Sequence, residues 1–254
     1  MNKQHKTQSG FTLAEVLITL GIIGIVAALT LPMLIASNKE KARVTNLKKI
    51  YSQIQNAWNL AVYENGPVDT WDLTKTLTGE VNENGEQILD NSGRIAFMQH
   101  LEPYFKKSNI NKVNIEGRYS LDGRGIYDNA SYKTDGGATD GGATDGTLMT
   151  ADGFVLKVGW INNNSDNIAD FWVTLPNEKK EIIGVTFFNF NITPKGIIPN
   201  GRTQSSFKQY CDVKSTAQKS DMNGRGCTAW ALWNENMEYT KCNDLSFNGK
   251  KKCH

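Results

Sequence analysis

Residues 10–35 read GFTLAEVLITLGIIGIVAALTLPMLI, and the chain is organised around them. From Val16 to Ala36 there is no charged side chain. As a helix, at about 1.5 Å per residue, such a run covers the ~30 Å hydrocarbon core of a bilayer. It is longer than a secretory apolar region and no A-x-A cleavage site follows it, so the reading is an anchor that is kept. One carboxylate, Glu15, lies about a turn inside the run. An ionised group in an apolar setting needs a partner, and no Lys or Arg lies within helical reach of Glu15. The sequence therefore points to a cation on another molecule. Gly21, Gly24 and Ala28 share one helical face that permits close helix packing, although small residues are also simply common in membrane helices. Pro32 lacks a backbone donor and is expected to bend the helix.

The order G-F-T-L-x-E, followed by an apolar run with Pro at the twenty-second position from Phe11, resembles the class III signal of type IV pilins and type II secretion pseudopilins. Gly10, Phe11, Thr12, Leu13, Glu15 and Pro32 carry the resemblance. It implies that a prepilin peptidase cuts between Gly10 and Phe11 and methylates the new N-terminal Phe11. It also implies that the Phe11 ammonium of a neighbouring subunit partners Glu15 in a filament. The partners so implied are the peptidase, other pilin or pseudopilin subunits, an inner-membrane assembly platform and membrane lipid. The resemblance covers roughly the first fifty residues.

Leu47, Ile50, Tyr51, Ile54, Ala57, Trp58, Ala61 and Val62 then recur at three- and four-residue spacing, an amphipathic stripe. Lys48, Lys49, Gln53 and Asn56 take the opposite face, and Asn65-Gly66-Pro67 ends the helix. The reading is one helix over 11–64, about 80 Å long, divided into a membrane/assembly part (11–36) and an amphipathic part (37–64). A basic leader over 1–10 is cleaved, and a β-rich head occupies 65–254. The fold class expected is α+β and pilin-like, with the amphipathic half of the helix packed on an antiparallel sheet.

Within the head, Trp71–Leu77 reads as a short helix. So does Arg94–Lys107, with Ser92 as a cap and a second half weakened by Pro103. Strands are expected over Phe154–Trp160, Asp170–Leu175 and Ile182–Phe190, with 176–180 as a hairpin connection between the last two. A turn at 193–196 precedes a short strand at Ile197-Ile198. Ala229–Trp233 fits strand or helix. The repeat TDGGATDGGATDG over 134–146 reads as an exposed loop. Its Asp135, Asp140 and Asp145 could offer oxygens to calcium, but they lack the spacing of known calcium repeats. The NNNSDN cluster over 162–167 reads as a turn.

The 254 residues suffice for one sizeable domain plus an anchor, or for two small domains. A formal net charge of +2 supplies no field for nucleic acid, and no nucleic acid is expected as a partner. Cys211, Cys227, Cys242 and Cys253 are spaced too widely for zinc ligation. Their clustering fits disulfides formed in an oxidising compartment, with three pairings open, or alternatively reduced core thiols.

Lys39, Lys41, Arg43, Lys48 and Lys49 outnumber the lysines of the leader. Counted alone, they would put the head in the cytoplasm. The family signal and the cysteines argue instead for the leader inside the inner membrane and the head outside. The basic cluster then meets anionic headgroups or is a solvated helix face.

No H-E-x-x-H, G-x-S-x-G or P-loop occurs, and His100 has no catalytic company in the sequence. No cofactor, metal or catalytic residue is expected. The reading is a non-enzymatic structural subunit, a minor pilin or pseudopilin. The head is larger than that of many major subunits, and retention of Glu15 argues against a pure tip subunit, since the family's tip subunits commonly lack it. A membrane-tethered binding or adhesion module that uses the signal for export is the alternative.

Overall fold

A 3.6-residue period carries one apolar face from Val44 to Ala61, and that periodicity builds the core of the head. In the computed structural model, which describes residues 12–85, 87–108, 112–128, 131–133, 146–162, 166–213 and 222–253, a single helix α1 runs over Leu13–Asn65 and continues through Pro32. Val44, Leu47, Ile50, Ile54, Ala57, Trp58 and Ala61 are buried, with Tyr51 and Val62 packed beside them. Gly66 ends α1 at φ +80°, a left-handed conformation that glycine adopts without strain, and its N–H closes on Val62 O at 3.0 Å. The chain divides between Ala42 and Arg43 into two units, each treated separately below.

In the first unit, the described residues are helical from Leu13 onward and their large apolar side chains are exposed, Leu13 by 79% and Leu29 by 72%. Two hydroxyls inside the apolar run satisfy themselves on the helix backbone. Thr19 Oγ1 donates to Val16 O at 3.0 Å and Thr30 Oγ1 to Val26 O at 2.9 Å.

The second unit follows α1 with hairpin strands β1 (Leu77–Val81) and β2 (Gln87–Leu89), then α2 (Ser92–Leu101). Short strands come next: β3 (Lys112–Asn114), β4 (Gly117–Tyr119), β5 (Gly125–Asp128), β6 (Ser131–Lys133) and β7 (Thr147–Met149). The longer ones are β8 (Val155–Ile161), β9 (Ala169–Thr174) and β11 (Phe187–Thr193), with β10 (Glu181–Ile182) and β12 (Gly196–Pro199) between and after them. Helices α3 (Gln204–Tyr210) and α4 (Thr228–Trp233) follow, with 3₁₀ turns at Arg225–Cys227 and Glu238–Thr240.

The main sheet has five antiparallel strands in the order β12-β11-β9-β8-β7. Alternation along its strands sorts the side chains. Leu156, Val158, Phe171, Val173, Phe188, Phe190 and Ile192 join the α1 stripe in one core, where Tyr51 stacks on Phe190 with ring centroids 5.6 Å apart. Trp172 and Phe187 point the other way and pack with Ile183 and the partly buried Met222. The architecture is α+β and pilin-like: a long N-terminal helix followed by an antiparallel five-stranded sheet.

Several local readings need correction. Residues 71–77 are not helical. A 3₁₀ turn at Val68–Thr70 is followed by Asp72 at φ +49°, which breaks any helix, while Trp71 is buried and its indole N–H donates to Gly66 O at 3.0 Å. The helix expected over 94–107 stops at Leu101, and Glu102–Tyr104 tightens into a 3₁₀ turn because Pro103 has no N–H to continue it. Ser92 opens α2 as its first residue and does not cap it.

The strand expected over 182–190 is two strands in two sheets. β10 pairs in parallel with β4, in the three-stranded sheet β10-β4-β5, and the chain turns at 183–186 before β11 joins β9. Residues 176–180 are therefore not a simple hairpin connection. Gly184, at φ +80°, makes that turn possible, since a Cβ there would stand 2.8 Å from Gly224 O and 2.9 Å from Cys227 Sγ. Residues 229–233 are helical, as part of α4. α3 is an additional helix, set by a reciprocal capping box between Thr203 and Ser206. The 134–145 repeat residues and Asn163, Asn164 and Ser165 lie outside the described residues.

Of the three possible cysteine pairings, the structure has Cys211–Cys227 and Cys242–Cys253. They enclose short loops, so each contributes on the order of 3 kcal/mol in the loop-entropy picture. Glu181, 2% exposed, is matched in full: Arg118 Nη2 reaches its Oε2 at 2.6 Å and Thr174 Oγ1 donates to its Oε1 at 2.6 Å.

Asp170, on the sheet face opposite the α1 core, has no such ion pair at contact distance. Burial pushes its carboxyl up, against the pull of the Arg225 charge. The folded chain therefore holds the Asp170 proton to higher pH than the unfolded chain does. Stability falls as pH rises from the unfolded value, about 3.9, through the raised folded value.

Two outcomes follow for the full chain in detergent. Ile54→Ala costs about 2–5 kcal/mol in denaturant unfolding, whereas the exposed Ser52→Ala stays within about 0.5 kcal/mol. Asp170→Asn is more stable than the parent at pH 7, and its advantage shrinks as the pH is lowered towards about 3.9. A pH-independent difference would contradict the linkage.

Candidate functional site

The first described residues build the candidate site. Thr12 precedes the first helical residue, so it is the N-cap, and Glu15 is the third helical position. The Thr12 N–H donates to Glu15 Oε2 at 2.8 Å and the Thr12 hydroxyl donates to the same oxygen at 2.8 Å. In return the Glu15 N–H donates to Thr12 Oγ1 at 3.2 Å. This is a reciprocal capping box, which satisfies helix-end donors that would otherwise lack partners. The negative carboxylate also lies at the positive end of the helix dipole.

The T-x-x-E spacing encodes the cap, and the same two residues belong to the processing signal. Among the described residues Glu15 makes no ion pair. Both side-chain bonds fall on Oε2, so the cap supplies hydrogen bonds to the carboxylate without a cation. Gly10 and Phe11, the residues of the expected cleavage, lie outside the described residues.

Downstream of Glu15, α1 is the one helix among the described residues long and apolar enough to cross a membrane. At Gly21 and Gly24 nothing lies within 4 Å of where a Cβ would stand, so the helix surface there is open. Pro32 lies inside the helix.

The basic cluster is engaged differently from either sequence reading. Arg43 grips Glu178 with two bonds, Nε to Oε1 at 2.7 Å and Nη2 to Oε2 at 3.1 Å. Lys48 pairs with Glu235 at 2.6 Å and Lys49 with Asp152 at 2.9 Å. The Lys49 ammonium, helped by Gln53, holds Asp152 below the usual carboxylate range. Three of the five cations thus face carboxylates of the head. The exposed pairs contribute at most about 1 kcal/mol each; the Arg43–Glu178 pair is forked and less exposed than the two lysine pairs.

Other sequence-flagged groups take structural positions. His100 stacks flat on Trp71, with centroids 4.5 Å apart, and its Nδ1 bonds Ala96 O at 2.7 Å. No group of three or more metal-ligating side chains occurs among the described residues. The cysteines are in disulfides, well separated in sequence from Glu15.

Comparison with known proteins places these features. The model of the Prokaryotic N-terminal methylation motif matches residues 5–31, spanning the cap, Glu15 and most of the apolar run. A second model, described as Family of unknown function (DUF6613), matches residues 33–233. No curated protein and no solved structure matches the chain. The methylation motif marks a precursor of the type IV pilin and pseudopilin kind, a structural class processed by prepilin peptidase and assembled with other pilins. With it, the apolar helix reads as a membrane anchor. Beyond that signal, the match over residues 33–233 shows that the chain belongs to the family of unknown function DUF6613.

Proposed function

We propose that this protein is a minor pilin or pseudopilin, a structural subunit of a type IV pilus-like or type II secretion filament. Prepilin peptidase cuts between Gly10 and Phe11 and methylates Phe11. The apolar part of α1 then stores the subunit in the inner membrane as a single span, with its N-terminus in the cytoplasm and the head outside. An assembly platform extracts it into a filament, where α1 packs among the helices of its fellows and Pro32 adapts its path. The domain division follows: leader 1–10, membrane and assembly helix 11–36, amphipathic spine 37–64 and head 65–254.

The observation that carries this reading is the coincidence at one helix start. The methylation motif, the cap Thr12 and the carboxylate Glu15 stand together at the head of a long exposed apolar helix. Cleavage would create an ammonium at Phe11. Glu15 of a neighbouring subunit, which makes no ion pair among the described residues of its own chain, would pair with it and set the axial register by penalising an unpaired charge in an apolar setting. The two disulfides suit a head that folds outside the cytoplasm.

Substitution at Glu15 tests the register role. Glu15→Ala is expected to be processed at a rate near that of the parent while its recovery in sheared filaments falls at least about tenfold, the scale set by an unpaired charge of 1.4 kcal/mol or more. Equal recovery in filaments would remove Glu15 from assembly.

A further inference from the structure

The two disulfides stand in opposite surroundings. Cys211 and Cys227 are 4% and 0% exposed, and no attacking group in water can reach their sulfurs without opening the core. Cys242 and Cys253 are only partly buried, and both line an open cavity of about 660 Å³. Its wall also carries Glu238, Lys241, Asp244 and Lys250. Over residues 238–253 four lysines (241, 250, 251 and 252) stand against two carboxylates, Glu238 and Asp244. Lys241 pairs with Glu238 and Lys250 with Asp244, each at 2.7 Å, so the charges of the wall itself balance. The net positive rim comes from Lys208, which donates to Asn243 O at 2.7 Å, and from Lys252, whose charge acts on Glu238. The Cys253 N–H adds a bond to Glu238 Oε2 at 2.7 Å. Against burial, which raises it, the bonds from Lys241 and the Cys253 N–H hold the Glu238 carboxyl below its usual range, so it stays ionised and keeps its partners in place.

We infer that Cys242–Cys253 is a thiol–disulfide exchange site for a dithiol of the oxidoreductase class, and that Cys211–Cys227 is the permanent bridge. The nucleophile in such exchange is a thiolate, and a positive rim both attracts it and stabilises the departing cysteine thiolate. One thiolate of the dithiol forms a bond to one sulfur of Cys242–Cys253. The electron pair of the broken S–S bond leaves on the other cysteine as thiolate. The second thiol of the dithiol then attacks the mixed disulfide and releases the first cysteine. The dithiol ends as a disulfide, and its two protons end on Cys242 and Cys253.

Exchange is local, because the tail between the cysteines has other anchors. Phe247 packs on Trp230 and Phe207 at 5.2 and 5.4 Å, and Leu245 is fully buried. Gln204 bridges both, accepting from the Phe247 N–H at 2.8 Å and donating to Leu245 O. The strap therefore stays seated when the bond opens, which keeps the cysteines positioned for re-oxidation.

The test uses the full chain in detergent micelles, treated with graded dithiothreitol under native conditions, alkylated with iodoacetamide and mapped by peptide mass spectrometry. Cys242 and Cys253 are expected to be labelled together, about tenfold or more ahead of Cys211 and Cys227, with the far-UV circular dichroism unchanged. Labelling of all four at one rate, of Cys211 and Cys227 first, or of none before the circular dichroism is lost would overturn the assignment. A second arm compares anionic glutathione with cationic cysteamine. The combined Lys250→Gln and Lys252→Gln variant is expected to lower the glutathione-to-cysteamine rate ratio by about threefold or more at low salt. An unchanged ratio would remove the role of the rim.

Discussion

The structure depends on one property of the α-helix: its backbone hydrogen bonds are closed within the element itself. A strand or loop would leave unpaired N–H and C=O groups in hydrocarbon, whereas a helix carries none along its length. The same element can therefore begin as an apolar rod and continue as the spine of a folded head. In α1 only the side chains change. From Val16 to Ala36 no side chain is charged, and Thr19 and Thr30 turn their hydroxyls inward to their own backbone. From Val44 onward only one face stays apolar, and it is buried. The helix start has its own solution to the same problem, since the Thr12–Glu15 cap satisfies donors that the first turn cannot.

The head answers the stripe with a sheet whose two faces have different tasks. One face closes the main core over Ile50, Ile54 and Trp58. The other carries Trp172 and Phe187 against Ile183 and Met222, while the C-terminal segments, held by the Phe207–Trp230–Phe247 aromatic cluster and the two disulfides, join the main core. Arg43, Lys48 and Lys49 then tie the spine to three separate loops through Glu178, Glu235 and Asp152. These cations are thereby accounted for within the head, which weakens their use as a count for topology.

What could be read from the sequence was what is encoded locally and repeated. The α1 stripe, its end at Asn65-Gly66 and strands β8 and β9 follow from period and punctuation within a short window. The failures were non-local. The run 182–190 is mostly apolar, with Thr186 and Asn189 as its two polar side chains, and nothing in it shows that Glu181 and Ile182 leave the main sheet to pair with Arg118 and Tyr119. β1 to β7 are mostly three to five residues long, too short for a pattern. The partners of Arg43 and Lys48 lie 135 and 187 residues away, beyond any spacing rule. At the candidate site the reverse occurred. T-x-x-E was legible as a cap, but the processing signal uses the same letters and drew the whole reading.

The central claim is that the helix begins the mature chain, and the mass of the chain recovered from membranes with active prepilin peptidase tests it most directly. The account predicts an intact mass equal to residues 11–254 with two disulfides and one added methyl group, placed on the Phe11 nitrogen by fragmentation. Recovery of the chain with residues 1–10 still attached, or cut at another bond, would contradict it.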